Sequence, residues 1–418
     1  MKLKQVALAA ACGLWSIGVS AEDGQSPLTR VAAIARVLNA APALEAAKAA
    51  VEARNALVDQ AGTRPNPHIG LEVENFTGTG PYTELDRVEA TASYSQLIER
   101  GGKRARRVAV SEEDKRIAAA ELRVRRLDLA YEAERAFIEA VAATARHDAL
   151  VRQASVLAGT ERLLAERASA GRESDLAVSQ ARIRTLRAEN AMKEAALKAE
   201  TAKLLLAGLW GGADAGFVLE PGFFAALPAA LPSLAALSAD TPDMVLWRLR
   251  EDRQSAMVAL EQARGVQDPT VRLGLRYLQD SGEVAAVAGI SIPFALYDTN
   301  RGNIARAKSD LNQSRFETLE MERRLNARFL LERQHMASAF VEAGQLRKSI
   351  AEVARTVDLA RAQVAKGAAS HLDVFAAEQL VADFEGQLID ALAAYHMARA
   401  GLARLNAEHD SAFDAQGN

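Results

Sequence analysis

Between Lys103 and Ala170 the chain carries no proline and no cluster of turn-forming residues, and a helix through this stretch would be roughly 100 Å long at 1.5 Å per residue. No globular domain of ordinary size encloses such a rod. Two heptad stripes run along it, Ile117, Val124, Tyr131, Ile138 and Ala145, and Leu122, Leu129, Ala136, Ala143, Leu150, Leu157 and Leu164. Their offset of five residues sets them roughly 140° apart around the axis. A dimeric coiled coil needs one stripe; a closed ring of helices needs two. Ile350, Val357 and Val364, with Leu346, Val353 and Ala360, repeat the arrangement further on. The composition agrees, because 49% hydrophobic residues with only 5% aromatics leave few large side chains for a deep core and suit helices packed at close spacing.

The chain is internally duplicated. Asn39-Ala-Ala-Pro42-Ala-Leu44 resembles Ala239-Asp-Thr-Pro242-Asp-Met244, and each opens a helix with proline near its first turn. Arg64-Pro-Asn-Pro67 and Gln267-Asp-Pro269 break those helices before the strands Ile69–Val73 and Val271–Leu275. Val88–Tyr94 then aligns without gaps to Val284–Ile290, and Gly171–Val178 to Gly367–Val374. The resulting organisation is a signal over 1–21, a first repeat over 22–207, a linker over 208–240, a second repeat over 241–409 and a tail over 410–418. The first repeat holds a helix, a strand pair within 66–98, the long helix 103–170 and a return helix 171–207. The second holds a helix, a strand pair within 269–296, a long helix 300–366 and a return helix 368–409.

Each strand pair has one apolar and one polar face. Ile69, Leu71, Val73, Val88, Ala90, Ala92, Tyr94, Val271, Leu273, Leu275, Tyr277, Ala286, Ala288, Ile290 and Ile292 alternate with Glu72, Glu74, Glu89, Thr91, Ser93, Arg272 and Arg276. A half-buried soluble sheet shows this alternation, and so does a membrane barrel with a wet lumen. The secretory signal and helices too long to cover a small sheet favour the barrel. Four strands cannot close alone, since roughly eight make the smallest barrel. Several chains must contribute, and three would supply twelve strands.

The first residues read as a secretory signal: Lys2 and Lys4, an apolar stretch from Val6 to Val19, and the small-residue site Val19-Ser20-Ala21. Cleavage after Ala21 removes the only cysteine, Cys12; a lipoprotein signal acylated at Cys12 is the rival reading. No later run of about 20 apolar residues could form a transmembrane helix. Net charge is −3, from 51 basic and 54 acidic side chains, so there is no cationic excess for a nucleic-acid backbone.

Catalysis and metal chemistry find little footing. Ser370, His371 and Asp373 contain the elements of a triad, yet neighbouring positions on one helix point in different directions and cannot converge on a substrate. The six histidines, His68, His147, His335, His371, His396 and His409, form no i, i+4 pair and have no cysteine partners, so a closed zinc site has no support. No cofactor is expected.

Arg64-Pro-Asn-Pro-His-Ile-Gly-Leu-Glu-Val-Glu-Asn-Phe-Thr-Gly and Ser95-Gln-Leu-Ile-Glu-Arg-Gly-Gly-Lys-Arg resemble the outer-membrane factor (TolC-like) family, and within it the heavy-metal efflux (CzcC-type) branch. The duplicated layout is similar to that family over nearly the whole mature chain. The resemblance implies a mainly helical fold with four strands per chain, a homotrimer closing a twelve-stranded barrel in outer-membrane lipid, and a periplasmic helical tunnel with an equatorial belt at 208–240. It implies the exit duct of a tripartite pump that exports divalent metal cations, with an inner-membrane RND transporter and a periplasmic adaptor as partners.

By the same resemblance the periplasmic tips that meet the adaptor comprise Gly171, Ser174 and Leu176 in one half and Gly367, Ser370 and Leu372 in the other. Asp373 falls where family members place an acidic ring at the pore constriction, while the next acid of that ring is Ala376 here. The polar pair that latches some members shut is Val364 and Ala369. Glu72, Glu74, Glu89, Arg272 and Arg276 would line the barrel lumen. His371 is the one candidate metal ligand, and only across a three-fold axis. A channel for drugs or polypeptides, and a soluble periplasmic scaffold or adaptor, are the alternatives to the metal duct.

Overall fold

The computed structural model describes residues 27–232 and 236–408. The expected signal with Cys12, His409 and the tail 410–418 lie outside the described residues. The elements follow in the order α1 (Arg30–Ala40), α2 (Pro42–Ala61), β1 (His68–Glu74), β2 (Glu89–Leu97), α3 (Lys103–Ser169), α4 (Asp175–Gly208), α5 (Pro242–Arg264), β3 (Thr270–Leu278), β4 (Glu283–Ser291), α6 (Arg301–Ala365) and α7 (His371–Leu405). The chain is therefore mainly helical, with four strands.

Local chemistry fixes where these elements start. Pro42 and Pro242 occupy first-turn positions, where their missing N–H is no loss. Thr241 caps α5 by accepting from the Met244 amide at 3.4 Å, and Thr29 caps α1 by accepting from the Ala32 amide at 3.1 Å. The separate helix α1 is not signalled in the repeat, which has no counterpart before Pro242. The turns from strand to long helix need left-handed backbone: Gly101 and Gly102 have φ of 69° and 73°, and Asn300 has 61°. Asn300 is held there by donating from Nδ2 to the Glu261 carbonyl at 2.7 Å. Asp268 joins the halves, accepting from Lys103 Nζ at 2.6 Å and from the Arg100 amide at 2.8 Å.

The long helices act as continuous rails. Towards the sheet α3 packs between α2 and α5, with α6 beyond α5; away from it α3 packs between α4 and α7, with α6 beside α7. This two-sided grip is what paired heptad stripes require. The helices do not close a ring within one chain. Leu176, Ile183, Leu197 and Leu205 remain exposed on α4, as do Phe316, Leu330, Leu331, Val341 and Leu359 on α6, which leaves apolar surface for neighbouring copies. Among the described residues no helix is long and apolar enough to cross a membrane.

The deepest core lies midway along α3, at Phe137, Ile138, Ala140 and Val141, where α1, α7 and residues 217–227 pack together. Residues 27–29 are tied in by a parallel bridge between Leu28 and Leu219. At this level His396 of α7 is buried among Phe223, Phe224 and Tyr395 and its Nε2 meets the Phe224 carbonyl at 3.0 Å. Burial lowers the His396 pKa despite that hydrogen bond, and the nearby Arg399 and Arg30 act in the same direction against Glu134. An unfolded imidazole takes up its proton near pH 6.5, so the stability due to a neutral His396 is complete above that pH and is lost as pH falls towards the lowered folded value. We expect the thermal midpoint to drop between pH 7.5 and 5, and to drop less in His396→Gln. Equal acid sensitivity in the two proteins would assign the effect to other groups.

Candidate functional site

The sheet runs β1-β2-β3-β4 with every neighbour antiparallel, so β1 and β4 each keep an unpaired edge. Its register produces three wholly apolar rows across one face. Ile69 lies level with Tyr94, Leu273 and Ala288; Leu71 with Ala92, Leu275 and Ala286; and Val73 with Ala90, Tyr277 and Val284. No other part of the described chain covers this face, and Ile69 is 88% and Leu275 60% exposed. A contiguous exposed apolar face of this kind marks a surface for protein or membrane contact.

The opposite face is a charge network. Arg276 pairs with Glu89 at 2.6 Å and Glu74 at 2.9 Å, and donates from Nε to Thr91 Oγ1 at 3.0 Å. Arg272 and Glu72 are 3.9 Å apart. The register explains the convergence, because Thr91 stands directly opposite both Glu72 and Arg276. Gly274 on this face has no room for a side chain: a Cβ would come within 2.8 Å of the Ala92 carbonyl oxygen. The five charged residues picked out on the strands thus share the polar face of the sheet, as the group Arg276, Glu74 and Glu89 and the pair Arg272 and Glu72.

At the far ends of the long helices the two halves turn alike. Gly171 and Gly367 have φ of 70° and 74°. The Arg172 amide reaches back to the Arg167 carbonyl, and the Ala368 amide to the Gln363 carbonyl, both at 2.9 Å, a Schellman stop for each rail. The returning helices start differently. Ser174 Oγ accepts from the Ala177 amide at 3.2 Å, whereas Asp373 Oδ2 accepts from the Ser370 amide at 2.9 Å, as in a capping box. Asp373 and Leu176 are exposed, and a Cβ at either glycine would meet open space. Crowding therefore does not select glycine here; the left-handed backbone does. Leu372 lies in the first turn of α7, and His371 Nε2 is buried without a hydrogen-bond partner in the single chain.

Behind the tips several contacts lock the hairpins together that sequence reasoning did not find. Arg361 of α6 pairs with Glu378 of α7 at 2.7 Å, and Arg182 of α4 with Glu161 of α3 at 3.3 Å. Phe375 of α7 is buried against Leu157 and Leu164 of α3, and the Arg184 guanidinium of α4 sits 5.2 Å from its ring centroid. Only the aromatic side chain of Phe375 in an Ala-rich helix hinted at this joint. A cavity of about 330 Å³ lies between α3, α6 and α7, lined by Arg152, Asp358, Arg361, Glu378 and Glu385. Among the described residues no three His, Cys, Asp or Glu side chains gather at metal-binding spacing.

An amphipathic four-stranded sheet with open edges, set on two rails that reverse at glycine tips, describes one segment of a membrane-anchored duct. Residues 33–212 match the model of the outer membrane efflux protein family. That match spans most of the first repeat. It is 26% identical to the cobalt-zinc-cadmium resistance protein CzcC of Cupriavidus metallidurans, over 81% of this chain and 80% of that one. The nickel and cobalt resistance protein CnrC of the same organism is 28% identical over 68% of each chain. The fold is shared with the outer membrane protein VceC of Vibrio cholerae, with a TM-score of 0.72 at 20% identity, over 90% of this chain and 96% of that one. The chain is an outer-membrane efflux duct and not an enzyme.

Proposed function

We propose that three copies of this chain form the exit duct of a tripartite pump that carries divalent metal cations across the outer membrane, working with an RND transporter and a periplasmic adaptor. The observation that carries the duct is the sheet, apolar on one face, charged on the other and open at both edges. Three such sheets make twelve strands, enough to enclose a wet lumen, and Glu72, Glu74, Glu89, Arg272 and Arg276 then face the water. The metal cargo is supported by the likeness to CzcC and CnrC, both named for resistance to divalent metals. Gly171, Ser174 and Leu176, with Gly367, Ser370 and Leu372, are the adaptor-facing tips. Deleting the gene should lower tolerance to cobalt, zinc, cadmium or nickel and leave drug tolerance unchanged. Hypersensitivity to drugs with normal metal tolerance would overturn the cargo.

In this reading Asp373 forms a ring of three carboxylates at the closed end. Its counterpart in the first half is Ala177, so the ring has three charges and not six. Like charges held close repel one another and attract cations, within a screening length of roughly 10 Å. In planar bilayers millimolar divalent ions added on the periplasmic side should reduce conductance, and Asp373→Asn should relieve the block. Asparagine keeps an oxygen for the Ser370 amide, whereas Asp373→Ala also gives up a cap worth about 1 kcal/mol. A block that persists in Asp373→Asn would show that the carboxylate serves the helix start alone.

A further inference from the structure

We infer that a pocket where the sheet meets α3 binds the headgroup of an anionic phospholipid from the periplasmic leaflet of the outer membrane. The pocket has a volume of about 600 Å³, and its walls include Arg64, Tyr94, Gln96, Ile98, Lys103 and Arg104. The wall towards the sheet continues the lipid-facing surface: Tyr94 belongs to the apolar row of Ile69, Leu273 and Ala288, and Ile98 is 45% exposed. Polarity then rises over one strand end. The Tyr94 hydroxyl donates to Gln96 Oε1 at 3.4 Å, and the arginines lie past Gln96.

Two positive charges in this pocket are left over after the fold has used the rest. Lys103 is neutralised by Asp268 at 2.6 Å. Arg107, one turn beyond Lys103, is bound by Glu99 and also donates to the Thr63 carbonyl at 3.1 Å. Arg64 and Arg104 are exposed and have no carboxylate partner among the described residues. Guanidinium groups are the side chains best matched to phosphate oxygens. The same end of the sheet carries Phe294, 88% exposed, and Tyr297, 91% exposed, just after β4, as expected of aromatic side chains at a membrane–water boundary. A phosphodiester at this depth would meet Arg64 and Arg104 while its acyl chains run along Ile98, Tyr94 and the apolar rows. Two unpaired guanidiniums repel the ammonium group of a zwitterionic ethanolamine lipid, so the preference is for a headgroup with net negative charge, such as glycerol.

The inference rests on the sheet facing lipid, and the test separates the two claims. The full-length protein is placed in nanodiscs of equimolar phosphatidylglycerol and phosphatidylethanolamine with matched acyl chains, and the lipids retained after release into mild detergent are counted by native mass spectrometry. Wild type should retain phosphatidylglycerol with an enrichment of at least about threefold. The double variant Arg64→Gln, Arg104→Gln should fall to the bulk ratio with its oligomer intact. Arg87→Gln, which removes a charge at the opposite end of the sheet, should keep the enrichment. Millimolar inorganic phosphate should not displace the lipid, because phosphate alone gains nothing from the apolar wall. Insertion with the bulk lipid ratio in wild type, unchanged enrichment in the double variant, or displacement by free phosphate would each overturn the headgroup site alone. A protein that stays out of the nanodisc would overturn the lipid-facing sheet as well.

Discussion

Ala286→Arg should abolish assembly in the outer membrane, while Val287→Arg, one residue further along β4, should leave it nearly intact. Ala286 lies level with Leu71, Ala92 and Leu275 in the middle apolar row, and Val287 is level with Gly274 on the charged face. An arginine at the midplane of the lipid face of a barrel costs about 2–4 kcal/mol. Three copies in one trimer bring this to roughly 6–12 kcal/mol, comparable with the whole stability of a folded domain. On the lumen face the same side chain reaches water and the carboxylates already there. The amount of folded oligomer in outer-membrane fractions, read from its heat-dependent mobility on gels, checks both variants. Equal loss in the two would mean that the alternation does not separate lipid from lumen.

Gly367→Trp should remove metal tolerance while the protein assembles at its normal level. Its left-handed φ of 74° costs an L-residue roughly 1–2 kcal/mol, and no neighbouring atom stands near its Cβ. The chain itself therefore accommodates an indole. In the proposed function, what the indole blocks is the surface presented to the adaptor. Gly367→Ala imposes the same backbone strain with only a methyl group, so it should stay near wild type and isolate bulk as the cause. Gly171→Trp tests the other tip in the same way. Full metal tolerance in both tryptophan variants would remove the tips from the docking surface.

The architecture was legible where it depends on periodicity. The rails of α3 and α6 follow from long stretches without proline, and the two-sided packing of α3 from its paired stripes, because a helix buries whichever faces repeat. The alternating faces of the strands likewise follow from a side-chain period of two. What could not be read was fixed by partners far away in sequence. The broad burial around Phe137 and Ile138 depends on residues 217–227 folding back over α3, and the Arg361–Glu378 and Arg184–Phe375 contacts depend on how α4, α6 and α7 cross it. The charged strand residues were recognisable singly, but the meeting of Glu74 and Glu89 on Arg276 required the register between β2 and β3, which joins the two repeats. At the tips the glycines were evident from the repeat. Their reason was not, since open space around each Cβ is a property of the fold and not of the motif.

The mass of the protein extracted from outer membranes, measured by native mass spectrometry together with its conductance in planar bilayers, tests the duct most directly. Each chain supplies four strands with two unpaired edges, so the account predicts three copies in one particle, a mixed helix and strand signal, and an ion-conducting pore. A stable folded monomer recovered from the aqueous fraction, without channel activity, would contradict it.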